Sequence, residues 1–200
     1  MSPHPQRRRR GEDRREQIID EALKTFADNG YRNASIAEIA TRCGLSQPGL
    51  LHYFPTKAAL LSAVLDHRDR LDYERLGFEH GLRGIEALER LARLVEHNMH
   101  VPGLVRLFTV VTGEAVTADH PARDWVVNRY RTVETFLARA LDDGVTDGDI
   151  RADVDTLALA RQIMAMMDGL QLQWLLAPER VDMGRLFRSY IDEVTAHIAA

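Results

Sequence analysis

Residues 35–60 read SIAEIATRCGLSQPGLLHYFPTKAAL, and the reading of this stretch decides the fold. Ser35, followed three residues on by Glu38, is a capping box that opens a short helix. Ile36, Ile39 and Ala40 recur at i, i+3 and i+4, so this helix has one apolar face. Cys43-Gly44-Leu45 closes it, since glycine accepts the left-handed conformation at a helix end and Leu45 folds back as an anchor. Ser46-Gln47-Pro48 opens a second helix, because proline in a first turn lacks only an N–H that had no partner. Pro55 stops that helix after Phe54, and Thr56 caps a third that carries Lys57. Starts and stops this closely spaced describe a helix-turn-helix, which presents its second helix to the DNA major groove.

Upstream, Ile18, Ile19, Ala22, Leu23 and Phe26 stand at helical spacing and predict a helix over 13–29, ended by Asn29-Gly30. Tyr31 is expected to pack under the helices that follow. The opening MSPHPQRRRRGED has no apolar periodicity and reads as an unstructured basic arm over 1–12. Its run Arg7 to Arg10 suits phosphates or a minor groove, the plainer alternative being a solvated tail.

Downstream, the Thr56 helix is expected to run towards Arg75, and Gly77, Gly81 and Gly84 to mark a loop. Periodicity then predicts helices from Ile85 to before Pro102, over 103–118, over 121–141 with Asp142-Asp143-Gly144 as terminator, and over 154–177. A last stripe runs from Met183 to Ile198. No strand pattern or long internal repeat appears. The reading is all-α: a basic arm (1–12), a helix-turn-helix domain (13–58) and a larger helical domain (59–200).

The last two helices are apolar on more than one side. Leu159, Ile163, Met166, Leu170 and Trp174 form one row, with Leu157, Ala160, Met164 and Met167 as another. The final helix carries Phe187, Tyr190 and Val194 among its stripe. A helix apolar on two sides needs two partners. Packing against symmetry mates would give a four-helix dimer interface; burial of both rows in a monomer is the alternative. A symmetric helix-turn-helix protein reads two half-sites, which favours the homodimer.

Charge is divided along the chain. The net charge is −4, yet residues 1–60 hold 10 Lys and Arg against 7 Asp and Glu, and the remainder holds 16 against 23. A basic end on an acidic body suits a protein that docks a polyanion through one part only. No apolar run approaches a membrane span, no signal-peptide core follows the N-terminus, and one cysteine makes no internal disulfide. A cytoplasmic protein without membrane attachment is the expectation.

With these residues in hand, the chain resembles the TetR family of bacterial transcriptional regulators. The resemblance is carried over about 13–65 by IIDEALKTFADNGYRNAS, IAEIA, CGLS and HYFPTKAALL, and more loosely by MMDGLQLQWLLAPE near the C-terminus. It implies an all-helical dimeric protein that binds double-stranded operator DNA, with a pocket for a small-molecule effector in the larger domain. By that likeness Gln47 and Pro48 touch bases, and a glutamine amide can donate to and accept from adenine at once. His52 and Tyr53 fall where backbone contacts are usual, and Lys57 matches a phosphate-binding lysine. Ser35 and Arg42 border the same surface. Gly49 and Leu51 stand where other members carry Thr and Tyr, and Ala37 where the founding member has Arg, so base readout is thinner and the operator does not carry over. Solvent-facing or capping roles for Gln47, and core packing for Tyr53, are the alternatives.

Met99, Phe108, Trp125, Met164, Met167 and Gln171 are the candidates to line the effector cavity, with ordinary core packing as the alternative. His97 and His100 stand three apart beside Glu96, but a zinc site needs three or four convergent ligands. No phosphate loop, nucleophile elbow or dinucleotide fingerprint is present, and no cofactor, metal or catalytic residue is expected. Two rivals remain: a small-molecule-binding helical protein with weak or vestigial DNA binding, and a small enzyme using the His/Glu cluster.

Overall fold

The computed structural model describes residues 5–76 and 81–200. Among the described residues the chain forms nine helices: α1 (Pro5–Asn33), α2 (Ile36–Arg42), α3 (Gln47–Tyr53), α4 (Lys57–Leu76), α5 (Gly84–Asn98), α6 (Pro102–Glu114), α7 (Arg123–Asp147), α8 (Thr156–Leu176) and α9 (Met183–Ile198). Extended pairing within them is limited to one bridge between Ile150 and Ala199. No helix among the described residues is long and apolar enough to cross a membrane. Gly77 of the expected loop lies outside the described residues.

Two compact units arise. One comprises the chain through Asp69 together with Arg106–Arg123; the other comprises Arg70–Val105 and Asp124–Ala200. The boundary expected at 58/59 is therefore displaced. The first half of α4 buries Leu60, Leu61, Val64 and Leu65, and α6 buries Leu107, Phe108 and Val111. The part of α4 through Asp69 and the part of α6 from Arg106 onward lie in the helix-turn-helix unit with the buried Ile18, Ala22 and Phe26 of α1.

In the other unit α9 packs along α5 and against α8. Its core holds Leu88, Val95, Leu137, Leu141, Ile163, Phe187 and Ile191, all essentially inaccessible. Asp72 and Arg129 pair at 3.0 Å with both side chains largely buried, so each charge is compensated where water is scarce.

Two expectations are corrected. The arm over 1–12 is helical from Pro5 onward, continuous with α1. Arginine and glutamine are good helix formers, and proline is tolerated in a first turn, so lack of an apolar stripe does not prevent helix formation. Likewise α7 does not stop near Leu141 but runs through Asp147. Gly144 is not its terminator: it is buried, and a Cβ there would stand 2.7 Å from Gly84 Cα and from Ile150 Cδ1. Glycine serves close approach at this position, at a helix-propensity cost of about 1 kcal/mol.

Candidate nucleic-acid interface

The α2–α3 pair is built by local hydrogen bonds. Ser35 Oγ accepts from the Glu38 N–H at 3.4 Å, and Ser46 Oγ accepts from the Gly49 N–H at 3.2 Å. Between them Gly44 takes φ 66°, the Gly44 N–H donates to Thr41 O at 3.0 Å, and the Leu45 N–H donates to Ala40 O at 2.8 Å. That pairing is the Schellman closure of α2. Thr56 Oγ1 accepts from the Ala59 N–H at 3.0 Å and caps α4.

These caps fix which side of α3 is free. Leu50 and Phe54 are buried beneath it, whereas Gln47, Pro48 and His52 are exposed and Gly49, Leu51 and Tyr53 are half-buried. The His52 and Tyr53 rings meet edge to face at 5.9 Å. Gln47 makes no side-chain hydrogen bond among the described residues, so its amide is available for a ligand. Arg42, exposed at the end of α2, is held by Glu38 at 2.7 Å, and Ser35 is exposed at its start.

Helix α1 clasps this motif. Arg14 Nη1 donates to Cys43 O at 2.9 Å, at the turn before α3, and the Arg15 guanidinium lies 4.9 Å from the centre of the Phe54 ring, at the far end of α3. Lys57 is half-buried. Its Nζ donates to Arg32 O at 3.1 Å and stands 4.7 Å over the Tyr31 ring. Burial lowers its pKa, opposed by the nearby Glu114 charge.

A cluster absent from the sequence reading anchors the segment between α1 and α2. Glu114 Oε2 accepts from the Tyr31 N–H at 2.8 Å, and the buried His120 edges the Tyr31 ring at 5.2 Å. His120 Nδ1 accepts from the Ala122 N–H at 3.2 Å, which leaves the ring proton on Nε2, 3.5 Å from Glu114 Oε2. Arg106 pairs with Asp28 at 2.8 Å in the same unit. Separations in sequence of 83 and 78 residues left no local signal for these contacts.

Residues 18–64 match the bacterial regulatory proteins of the tetR family, and residues 87–196 match the C-terminal region of BetI-type transcriptional repressors. The chain belongs to the TetR family. Members are transcriptional regulators, not enzymes.

Among relatives, the A-factor receptor protein of Streptomyces griseus is 27% identical over 184 residues, covering 90% of this chain. The chain spans 60% of that relative's length. A TetR transcriptional regulator from Chloroflexus aurantiacus superposes with a TM-score of 0.82 at 22% identity, covering 96% of this chain and 98% of that one. SmeT, the repressor of the Stenotrophomonas maltophilia multidrug efflux pump SmeDEF, was solved with triclosan and superposes with a TM-score of 0.79 at 19% identity, covering 94% and 92%. These likenesses to solved structures support the fold.

The other expected sites of this TetR-family chain are distributed differently. Of the six cavity candidates, Phe108 belongs to the helix-turn-helix unit, where the Arg68 guanidinium covers its ring at 4.4 Å. Met99, Trp125, Met164, Met167 and Gln171 lie in the other unit. Met164 and Gln171 are buried there, and Met99 Sδ accepts from the Gly184 N–H at 3.1 Å. An open groove of about 530 Å³ in that unit is lined instead by Leu82, Arg131, Thr132, Thr135, Phe136 and Arg139, among others.

Of the eight dimer candidates, Leu159, Ile163, Leu170, Trp174 and Phe187 belong to their own subunit's core. Met166 is 38% exposed, and Tyr190 and Val194 are half-buried. The free apolar side of α8 also carries Leu172 and Leu176, which periodicity did not single out. Glu96 is engaged by Arg188 at 2.9 Å, beside a half-buried His97 and an exposed His100.

Proposed function

We propose that this protein is a cytoplasmic, ligand-responsive repressor that binds a pseudo-palindromic operator as a homodimer. The observation that carries the reading is the free edge of α3. Gln47, Pro48 and His52 are exposed on a short helix whose other side is seated on Leu50 and Phe54. Gln47 would read a base edge, worth about 1–3 kcal/mol of discrimination for a bidentate pair. Arg42, Ser35, Tyr53 and Lys57 would hold register through phosphates, with Lys57 exchanging its Arg32 carbonyl for a phosphate oxygen.

Dimerisation is supported by the apolar side of α8 and α9 left free of the core: Met166, Leu172, Leu176 and Leu186 are each more than one-third exposed. Two half-sites on one DNA face then require a fixed spacing of the two α3 helices. An effector lowers occupancy by binding more tightly to a state with the wrong spacing. Met164, Met167 and Gln171 on α8 remain the residues proposed to meet it, and the triclosan complex of SmeT supports a small organic molecule as the effector class.

Selection of bound fragments from the source genome tests the reading. The expected result is one inverted-repeat sequence, retained over competitor DNA at physiological salt by a dimer. Binding without sequence preference, or by a monomer, overturns it.

A further inference from the structure

Arginine pairing is uneven in the unit formed by Arg70–Val105 and Asp124–Ala200. There Arg83, Arg129, Arg151, Arg161 and Arg188 each meet a carboxylate at 3.0 Å or less. Arg131 and Arg139 on α7 do not: neither side chain makes an ion pair or hydrogen bond among the described residues. Both line the open groove of about 530 Å³. Thr135 lines it midway between them, so Arg131, Thr135 and Arg139 follow i, i+4 and i+8 as a polar row about 12 Å long. The hydroxyls of Thr132 and Thr135 are likewise without a hydrogen bond among the described residues, although Thr146 on the same helix donates back to Asp142 O at 3.0 Å. Beside the polar row stand Phe136 and Ala140, one helical turn apart, which pack with Leu82 as an apolar wall. Asp143 is the one carboxylate among the described lining residues, and Arg83 faces it at 3.8 Å.

We propose that this groove on α7 is a binding site for an amphipathic oxyanion, a small molecule whose carboxylate or phosphate is held by Arg131, Arg139 and the Thr135 hydroxyl while its apolar body lies along Phe136 and Leu82. The site goes beyond the operator reading: Met164, Met167 and Gln171, proposed above to meet the effector, do not line it. Its volume falls within the about 300–1,000 Å³ usual for small-molecule sites, where a few convergent polar groups beside an apolar wall fix the ligand's orientation. Two guanidinium forks present paired N–H donors that match the oxygens of either headgroup, and threonine adds a neutral donor between them. Residues 61–200 hold more acidic than basic side chains, so carboxylates are at hand to pair with arginine. Two arginines left free on one groove have their charge available to an anion from solution.

The test titrates decanoate, decyl phosphate and decanol into the full chain, without DNA, and follows binding by calorimetry. At least one of the two anions is expected to bind about tenfold or more tightly than decanol, and the tighter of them names the headgroup. Added salt should weaken that binding, since charges at an open groove are screened. Arg131→Ala combined with Arg139→Ala is expected to lower the affinity about tenfold or more. Both side chains are exposed, so the variant should melt as wild type does. Arg180→Ala removes an exposed arginine between α8 and α9 that does not line the groove, and should bind the anion within about twofold of wild type. Binding of neither anion overturns the inference, as does decanol binding equally well. Undiminished affinity in the double variant also overturns it, because the anion then sits elsewhere. No duplex is present, so the outcome is read separately from that of the genomic selection.

Discussion

The backbone N–H of Tyr31 donates to the carboxylate of Glu114 at 2.8 Å, which ties the end of α1 to the end of α6 inside one compact unit. The chain there passes through Gly30 with φ 71°, a conformation that an L side chain rarely adopts. A Cβ on Gly30 would stand 2.5 Å from Glu114 Oε1. Backbone bend and carboxylate are thus fitted to one another, immediately before Ser35 opens the DNA-facing motif.

Removing either half should be felt. Glu114→Ala leaves the part-buried Tyr31 N–H without its acceptor, a loss of about 1 kcal/mol. Gly30→Ala meets both the positive φ and the clash, and is expected to cost at least 1–2 kcal/mol. In the Glu114→Ala background the clash is gone, so Gly30→Ala should cost less than it does alone. Urea unfolding of the four proteins checks this, and strictly additive losses would show that the two groups do not meet.

Lys57 is committed within the free protein, to the Arg32 carbonyl and the Tyr31 ring. Lys57→Ala is therefore expected to lower folding stability by about 1 kcal/mol through the lost cation–π and hydrogen-bond contacts. It should also weaken binding to all DNA sequences alike and reduce the salt slope by about one. Thermal unfolding and a salt titration separate the two effects. Retention of full stability would mean that the lysine is free in solution.

Gln47→Ala should behave differently, because the residue is exposed and its amide makes no hydrogen bond among the described residues. Stability is expected to hold within about 0.5 kcal/mol. Discrimination should fall at one or two operator positions by about 1–3 kcal/mol, with only modest loss of general affinity. Binding to a panel of single-base operator variants gives the answer. A uniform loss across the panel would assign Gln47 to the backbone.

Much of this site was legible in the sequence because its signals are local. Ser35, Gly44, Ser46, Pro48 and Thr56 act on groups within a few residues, and each cap or turn appears where its residue type requires. The Glu114–Tyr31–His120 cluster was not legible, since nothing local joins residues 83 apart; Asn29-Gly30 signalled a break but not what fills it. Gly144 misled for a related reason: glycine after two aspartates suggests a helix end, whereas its use is the tertiary approach to Gly84. On α8, periodicity identified two apolar rows but could not say which one the subunit keeps. Neither row was kept whole: Ile163 and Trp174 of one and Ala160 and Met164 of the other are buried, whereas Met166 and Leu157 are exposed, a choice made by packing against α9 and the rest of that unit's core.

Cys43 supplies a pH test. It is 2% exposed at the α2–α3 turn, and burial raises its thiol pKa, with Glu21 adding to the rise and Arg14 and Lys24 opposing it. The unfolded thiol, at about 8.5, therefore loses its proton before the folded one. The associated stability is fully present below that value and is lost as the pH rises through the folded pKa, because the native state then binds the extra proton. Cys43→Ala should flatten the fall in stability above about pH 8.5 relative to wild type. A thiol reagent at neutral pH should react only on unfolding, and rapid labelling of the native protein would refute the burial of this turn.

The oligomeric state turns on residues that the core does not use. Leu172 and Leu176 are 49% and 77% exposed on α8, next to a shallow groove lined by Met166, Gly169, Gln173 and Tyr190 among others. A stable symmetric interface needs about 800 Å² per partner, and an apolar helical side of this kind is the surface able to supply it. Leu172→Glu combined with Leu176→Glu places two charges on each copy where the other would press, and neither side chain contributes to the buried core. The variant is expected to keep its helical content and melting cooperativity but to elute as a monomer at micromolar concentration, and to lose operator binding with it. Ile163→Glu, by contrast, puts a charge into a position with no exposure and should unfold the subunit. Light scattering on the two variants distinguishes the surfaces. If the Leu172/Leu176 variant remains dimeric, the two copies meet elsewhere, and the spacing of their α3 helices must be set by another face.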